Sequence, residues 1–182
     1  MEYEYDFDKA VDSPEDPLPG IYCAWVYLVN DTGVTSKGNE LKGIEVSFSI
    51  TAGDPEGMEK RVFRDVFWHP DPQDPEKAGR DLARIKRIWT VCTGAPPEGK
   101  KKVNWQSLKG TFLVIKIENY TNDKGKTKLV VADYGRGYYS LNDPAVSEVP
   151  KAYPGNFTPP KGPKKPAAPP KSQLDKDAED VF

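Results

Sequence analysis

The chain has 182 residues, 37% of them hydrophobic, 30% charged and 33 of them Pro or Gly. That is room for one compact domain with extensions, too little for two ordinary enzyme domains, and too wet and turn-rich for the whole length to be packed. The net charge of −2 conceals a split, because residues 1–17 and 174–182 are acidic while residues 151–173 carry five Lys and no acid.

The longest apolar run, residues 21–29, falls far short of the roughly 20 residues that span a bilayer. The N-terminus, Met1-Glu2-Tyr3-Glu4-Tyr5-Asp6, is acidic where a secretory signal is basic and then apolar. A cytoplasmic protein without membrane contact is expected. Cys23 and Cys92 each sit in an apolar pattern and are expected as buried, reduced thiols. With the single His69 they offer no zinc spacing, so neither metal nor cofactor is expected. His69, in Phe67-Trp68-His69-Pro70-Asp71-Pro72, reads as a strand end or turn with no nucleophile beside it. Gly94-Ala95-Pro96-Pro97-Glu98-Gly99-Lys100-Lys101 approaches a phosphate-binding loop. It has Lys where Ser or Thr would meet magnesium, and prolines in place of donor amides, so it reads as a basic surface loop. No catalytic constellation results, and the chain is not expected to be an enzyme.

In chain order, Pro17-Leu18-Pro19-Gly20 closes the acidic leader at residues 1–17. Residues 21–29 are rich in β-branched and aromatic side chains and predict strand one. A polar loop over residues 30–40 leads to strand two at about residues 43–51, where Ile44, Val46, Phe48 and Ile50 alternate with Glu45, Ser47 and Ser49. Gly53-Asp54-Pro55-Glu56-Gly57 turns the chain into strand three, about residues 60–68, completing a meander. Asp74 before Pro75 predicts a helix start and Gly94 its stop, so a helix is expected at about residues 75–92. Its apolar stripe is Ala78, Leu82, Ile85, Ile88, Trp89 and Cys92. Trp105–Leu108 predicts one short turn. Strand four is expected at residues 111–120 and strand five at 126–134, joined through Asn122-Asp123-Lys124-Gly125. Residues 150–170 hold eight prolines, which predicts an extended linker over 150–173. The acidic terminal segment 174–182 follows.

Three strands, a helix and two strands is the element order of the OB-fold, a five-stranded Greek-key barrel with its helix between strands three and four, here expected over residues 18–149. Such barrels bind single-stranded nucleic acid, whose phosphates call for cations and whose exposed bases call for flat rings. Candidate residues for that contact are Lys37, Lys42, Lys60, Arg61, Arg64, Phe67 and Trp68 around strands two and three. Tyr120, Lys124, Lys126, Lys128 and Tyr134 supply the same residue types around the last hairpin. Trp25, Phe48 and Phe63 read instead as core. At the C-terminus, Asp177, Glu179, Asp180, Val181 and Phe182 form an acidic peptide with an apolar tip and a free carboxylate, suited to a pocket rimmed by Arg or Lys.

Barrel, Pro-rich linker and Phe-terminated acidic tail together resemble the single-stranded DNA-binding proteins of bacteria and their phages. Leu18-Pro19-Gly20-Ile21-Tyr22, Thr35-Ser36-Lys37-Gly38-Asn39-Glu40-Leu41 and Lys60-Arg61-Val62-Phe63-Arg64-Asp65 resemble, over about residues 18–140, a phage family encoded near replication and recombination genes. The bacterial tip Asp-Asp-Ile-Pro-Phe corresponds here to Ala178-Glu179-Asp180-Val181-Phe182, without the proline. The resemblance implies a protein that coats exposed single-stranded DNA in replication, recombination or repair and recruits partner proteins through Phe182 and its acidic neighbours. A protein-interaction adaptor and an RNA-binding barrel are the alternatives. An edge strand also leaves open a homo-oligomer paired across a two-fold axis.

Overall fold

The computed structural model describes residues 16–35 and 42–153. Most of the acidic leader, Lys37, residues 154–173 of the predicted linker and the acidic tip at 174–182 lie outside the described residues.

The architecture is mainly β. An antiparallel sheet of six strands is formed by β1 (Gly20–Thr35), β2 (Lys42–Asp54), β3 (Val62–Trp68), β4 (Phe112–Thr121), β5 (Thr127–Val131) and β6 (Tyr138–Tyr139). Among the described residues one long helix, α1 (Pro75–Thr93), joins β3 to β4, with a 3-10 turn at Trp105–Leu108 after it. Among the described residues no helix is long and apolar enough to cross a membrane. Local signals set the helix ends. The Asp74 carboxylate accepts from the Lys77 amide at 3.0 Å, Pro75 opens the first turn, and Gly94 closes the helix at φ 78° with its N–H donated to the Thr90 carbonyl.

The strands run in the order β3-β2-β1-β4-β5, with β6 on β4. β5 and β6 line the same edge of β4: Val131 pairs with Ile117, and Tyr138 with Ile115. They are one strand interrupted by the turn at Ala132–Gly135, where Asp133 and Tyr134 both take a positive φ of 55°. The predicted fifth strand, extended to residue 134, therefore stops at Val131. β3 and β5 stand at opposite ends of the sheet without a ladder between them, so backbone pairing does not close the expected barrel.

Side chains span that gap instead. The Tyr138 hydroxyl on β6 donates to the Asp65 carboxylate on β3, and Arg84 from α1 reaches the same carboxylate at 2.7 Å. Arg84 lies over the Phe67 ring at 5.4 Å and passes so close to Gly135, at φ 80°, that a Cβ there would meet its Nε at 2.1 Å. Of the expected stripe on α1, Ile88 is buried and Ile85, Trp89 and Cys92 pack against the core, whereas Leu82 is exposed and Asp81 is buried in its place.

Two apolar clusters result. The inner one gathers Tyr22, Val26, Val46, Phe48, Phe67, Ile115 and Tyr138 under α1 and Trp105. The outer one packs Cys23, Phe112 and Val114 beneath Leu141, Val146 and Val149, with Trp25 and Tyr153 against it. β1 and β4 are thus covered on both faces along part of their length, which is why residues 21–29 are apolar without alternation. Past residue 29 the strand continues to Thr35, because Asn30, Val34 and Thr35 pair with Glu45, Gly43 and Lys42; the expected polar loop starts later than its composition indicates. Both cysteines are free thiols, Cys23 buried and Cys92 half-buried. Burial pushes the Cys92 thiol up to about 12.

Candidate functional site

The outward row of β2 consists of Glu45 and the small Ser47 and Ser49, polar residues alternating with the inward Ile44, Val46, Phe48 and Ile50. Small side chains along a central strand leave a trough between larger neighbours. On one side β1 carries a bulge between Val26 and Leu28, so Tyr27 is the extra residue and both Tyr27 and Leu28 are exposed. On the other side, Val62 and Arg64 of β3 stand opposite Ser49 and Ser47.

These residues, with Trp25 and Lys60, line an open groove of about 540 Å³. Trp25 lies stacked on Phe112, ring centroids 6.3 Å apart, and meets Tyr27 edge-on at 5.6 Å. Phe112 in turn touches Tyr153. A continuous aromatic row therefore supports the groove wall, and Tyr27 at its open end is 52% exposed. Lys60 takes a positive φ of 68° in the turn before β3. Among the described residues no ion pair joins Glu45 to Lys60 or Arg64. One wall is thus aromatic, the other cationic, and the floor is hydroxyl and carboxylate.

Of the residues predicted to contact nucleic acid, Lys60 and Arg64 line this groove. Trp68 and Lys42 lie beyond them at the far end of β2 and β3, Trp68 half-buried against Gly43 and Lys42 exposed. Arg61 is half-buried, donates to the Asp16 carbonyl at 2.9 Å and is not among the groove-lining residues. Phe67 is a correction. It is 1% exposed and packs on Trp105 and Tyr138, with centroids 5.2 and 6.0 Å away, so no base can reach it. Its inward position follows from the alternation of β3, in which Phe63 and Phe67 face the core and Arg64 faces out. Tyr120, cross-strand partner of Lys128, is exposed with Lys124 and Lys126 on the β4–β5 hairpin; none of them lines the groove. Tyr134 is 88% exposed at the tip of its left-handed turn.

Trp25, Tyr27, Leu28, Glu45, Ser47, Ser49 and Val62 are the groove residues missing from the expected set. The regular polar face of β2 carried a readable signal for its floor. The β1 wall did not, because a bulge leaves no mark in composition. Among the described residues no group of three or more His, Cys, Asp or Glu side chains is placed to hold a metal ion. No protein-family model and no curated protein matches this chain.

Proposed function

We propose that the protein is a single-stranded DNA-binding protein whose groove on β1, β2 and β3 holds unpaired nucleotides, and whose acidic C-terminal peptide recruits replication or recombination partners. The carrying observation is the pairing, across one open groove, of the Trp25–Tyr27 wall with the Lys60–Arg64 wall. Rings offer stacking surfaces that accept any base, worth about 1–3 kcal/mol each, and cations meet the phosphates. The strand order supports an OB-type sheet. It is the order of such a barrel opened between its third and fifth strands, and Tyr138, Asp65 and Arg84 bridge that opening.

Titration with oligo-dT tests the proposal. Trp25 fluorescence is expected to be quenched as the groove fills, with binding that weakens steeply with salt and a strong preference for single over double strands. Preference for duplex, or no quenching and no mobility shift at low salt, overturns it.

A further inference from the structure

We infer that the groove selects for an unpaired guanine through Glu45, an inference that rests on the single-strand reading above and adds a base preference to it. A groove that served phosphates and stacking alone has no use for a carboxylate, which repels phosphate. Glu45 nonetheless lines the same groove as Lys60 and Arg64, and no ion pair among the described residues neutralises it against either. It is next to Ser47 on the outward row of β2.

An ionised carboxylate only accepts hydrogen bonds. Among the Watson–Crick edges, guanine alone presents two adjacent donors, N1–H and the N2 amino group, matching the two carboxylate oxygens. Cytosine and adenine place one amino group beside an acceptor nitrogen, and thymine or uracil places one N–H between two carbonyls; both arrangements bring a lone pair against the carboxylate. The groove volume, about 540 Å³, falls within the roughly 300–1,000 Å³ typical of small-ligand sites, enough for a base and its sugar. A guanine stacked on the Trp25–Tyr27 side would turn its edge to Glu45 while Lys60 and Arg64 meet the flanking phosphates. In a duplex that edge is already paired, so the same contact favours single strands.

The test uses full-length protein and fluorescence anisotropy with three oligonucleotides: oligo-dT, the same strand with one central dG, and the same strand with hypoxanthine at that position, which lacks the 2-amino group. A single guanine precludes quadruplex formation. The guanine strand is expected to bind about tenfold more tightly than oligo-dT, as for one bidentate base contact, and hypoxanthine is expected to lose most of that gain. Glu45→Gln is expected to abolish the preference for the guanine strand, with an unfolding midpoint close to the parent's showing that the variant is folded. Equal affinity of the parent for the guanine and thymine strands, or a preference that survives in Glu45→Gln, overturns the inference and leaves the single-strand reading standing. Absence of binding to all three strands overturns both.

Discussion

Tyr138 on β6 and Asp65 on β3 meet between two strands that do not pair, the phenol donating to the carboxylate, with Arg84 as the carboxylate's second donor. Tyr138 is fully buried, and its ring packs on Phe48 and Phe67 from β2 and β3. The contact thus joins the β4–β6 edge to the β3 edge at the base of the strands that carry the groove. Desolvation disfavours the Arg84 charge, but the adjacent Asp65 and Tyr138 outweigh it and hold its pKa above the ordinary arginine value.

Tyr138→Phe removes the hydroxyl while keeping the ring, and leaves Asp65 with one donor fewer. A hydrogen bond to a charged group contributes about 1.5–3 kcal/mol, and a loss of that size is expected in denaturant unfolding. Burial, then the Asp65 charge, raises the Tyr138 pKa well above 10.0. Between pH 10.0 and that raised value the unfolded chain ionises this phenol while the folded chain keeps it protonated. The folded state then binds more protons, so stability falls as pH rises above 10.0. Tyr138→Phe should show a shallower alkaline loss; an identical alkaline slope in the two proteins refutes the assignment.

Tyr27 and Phe67 separate binding from packing. Tyr27→Ala removes a half-exposed ring at the groove wall and is expected to weaken oligo-dT binding about tenfold, with an unfolding midpoint close to the parent's. Phe67→Ala empties a core position and is expected to cost about 3–5 kcal/mol of stability. The pair of measurements fails if Tyr27→Ala binds like the parent, or if Phe67→Ala is as stable as the parent.

Where neighbours in sequence decide the structure, the elements were legible: Asp74-Pro75 and Gly94 bound α1 close to the expected positions, and Ile44 to Ile50 alternate as β2 does. Where partners distant in sequence decide, they were not. Asn30 to Thr35 are polar yet paired, because β2 continues opposite them. Leu82 faces out although Ile85, Ile88, Trp89 and Cys92 of the same predicted stripe pack on the core, and Arg84 beside it reaches Asp65, 19 residues away in sequence. Trp25 reads as core and is partly so, stacked on Phe112, but its other surroundings are the groove. Phe67 and Trp68 are adjacent in sequence, and only the phase of β3 separates the buried ring from the half-buried one.

Asp81 is buried on α1 with one carboxylate oxygen lacking a hydrogen-bond partner. Desolvation raises its pKa above 3.8, against the opposing pull of Lys77, Arg84 and Arg80. Between pH 3.8 and that raised value the folded protein binds the extra proton, so this group's contribution worsens as pH rises through the window. Asp81→Asn is therefore expected to stabilise the protein at neutral pH by on the order of 1 kcal/mol, with the two stability curves converging toward acid. A variant less stable than the parent at neutral pH contradicts this.

Lys60 and Arg64 have a signature of their own in salt titrations. Each phosphate neutralised contributes about 0.7 to the slope of log affinity against log salt on a single strand. Lys60→Ala and Arg64→Ala are each expected to weaken oligo-dT binding at low salt and lower that slope by about this amount, and the double variant by about twice as much. Slopes unchanged in both single variants would place the phosphates elsewhere.

The acidic segment at residues 174–182, with four acids and one Lys, has the charge to compete with DNA for those same cations. Deleting it is expected to tighten oligo-dT binding at low salt. The gain should vanish as the Debye length shrinks to about 3 Å near 1 M salt, since only charge links tail and groove in this account. Arg64→Ala should diminish the gain from deletion, because one of the cations for which tail and DNA compete is then missing. If full-length and truncated proteins bind alike at low salt, the tail does not compete for the groove, and its acids are left with partner recruitment alone.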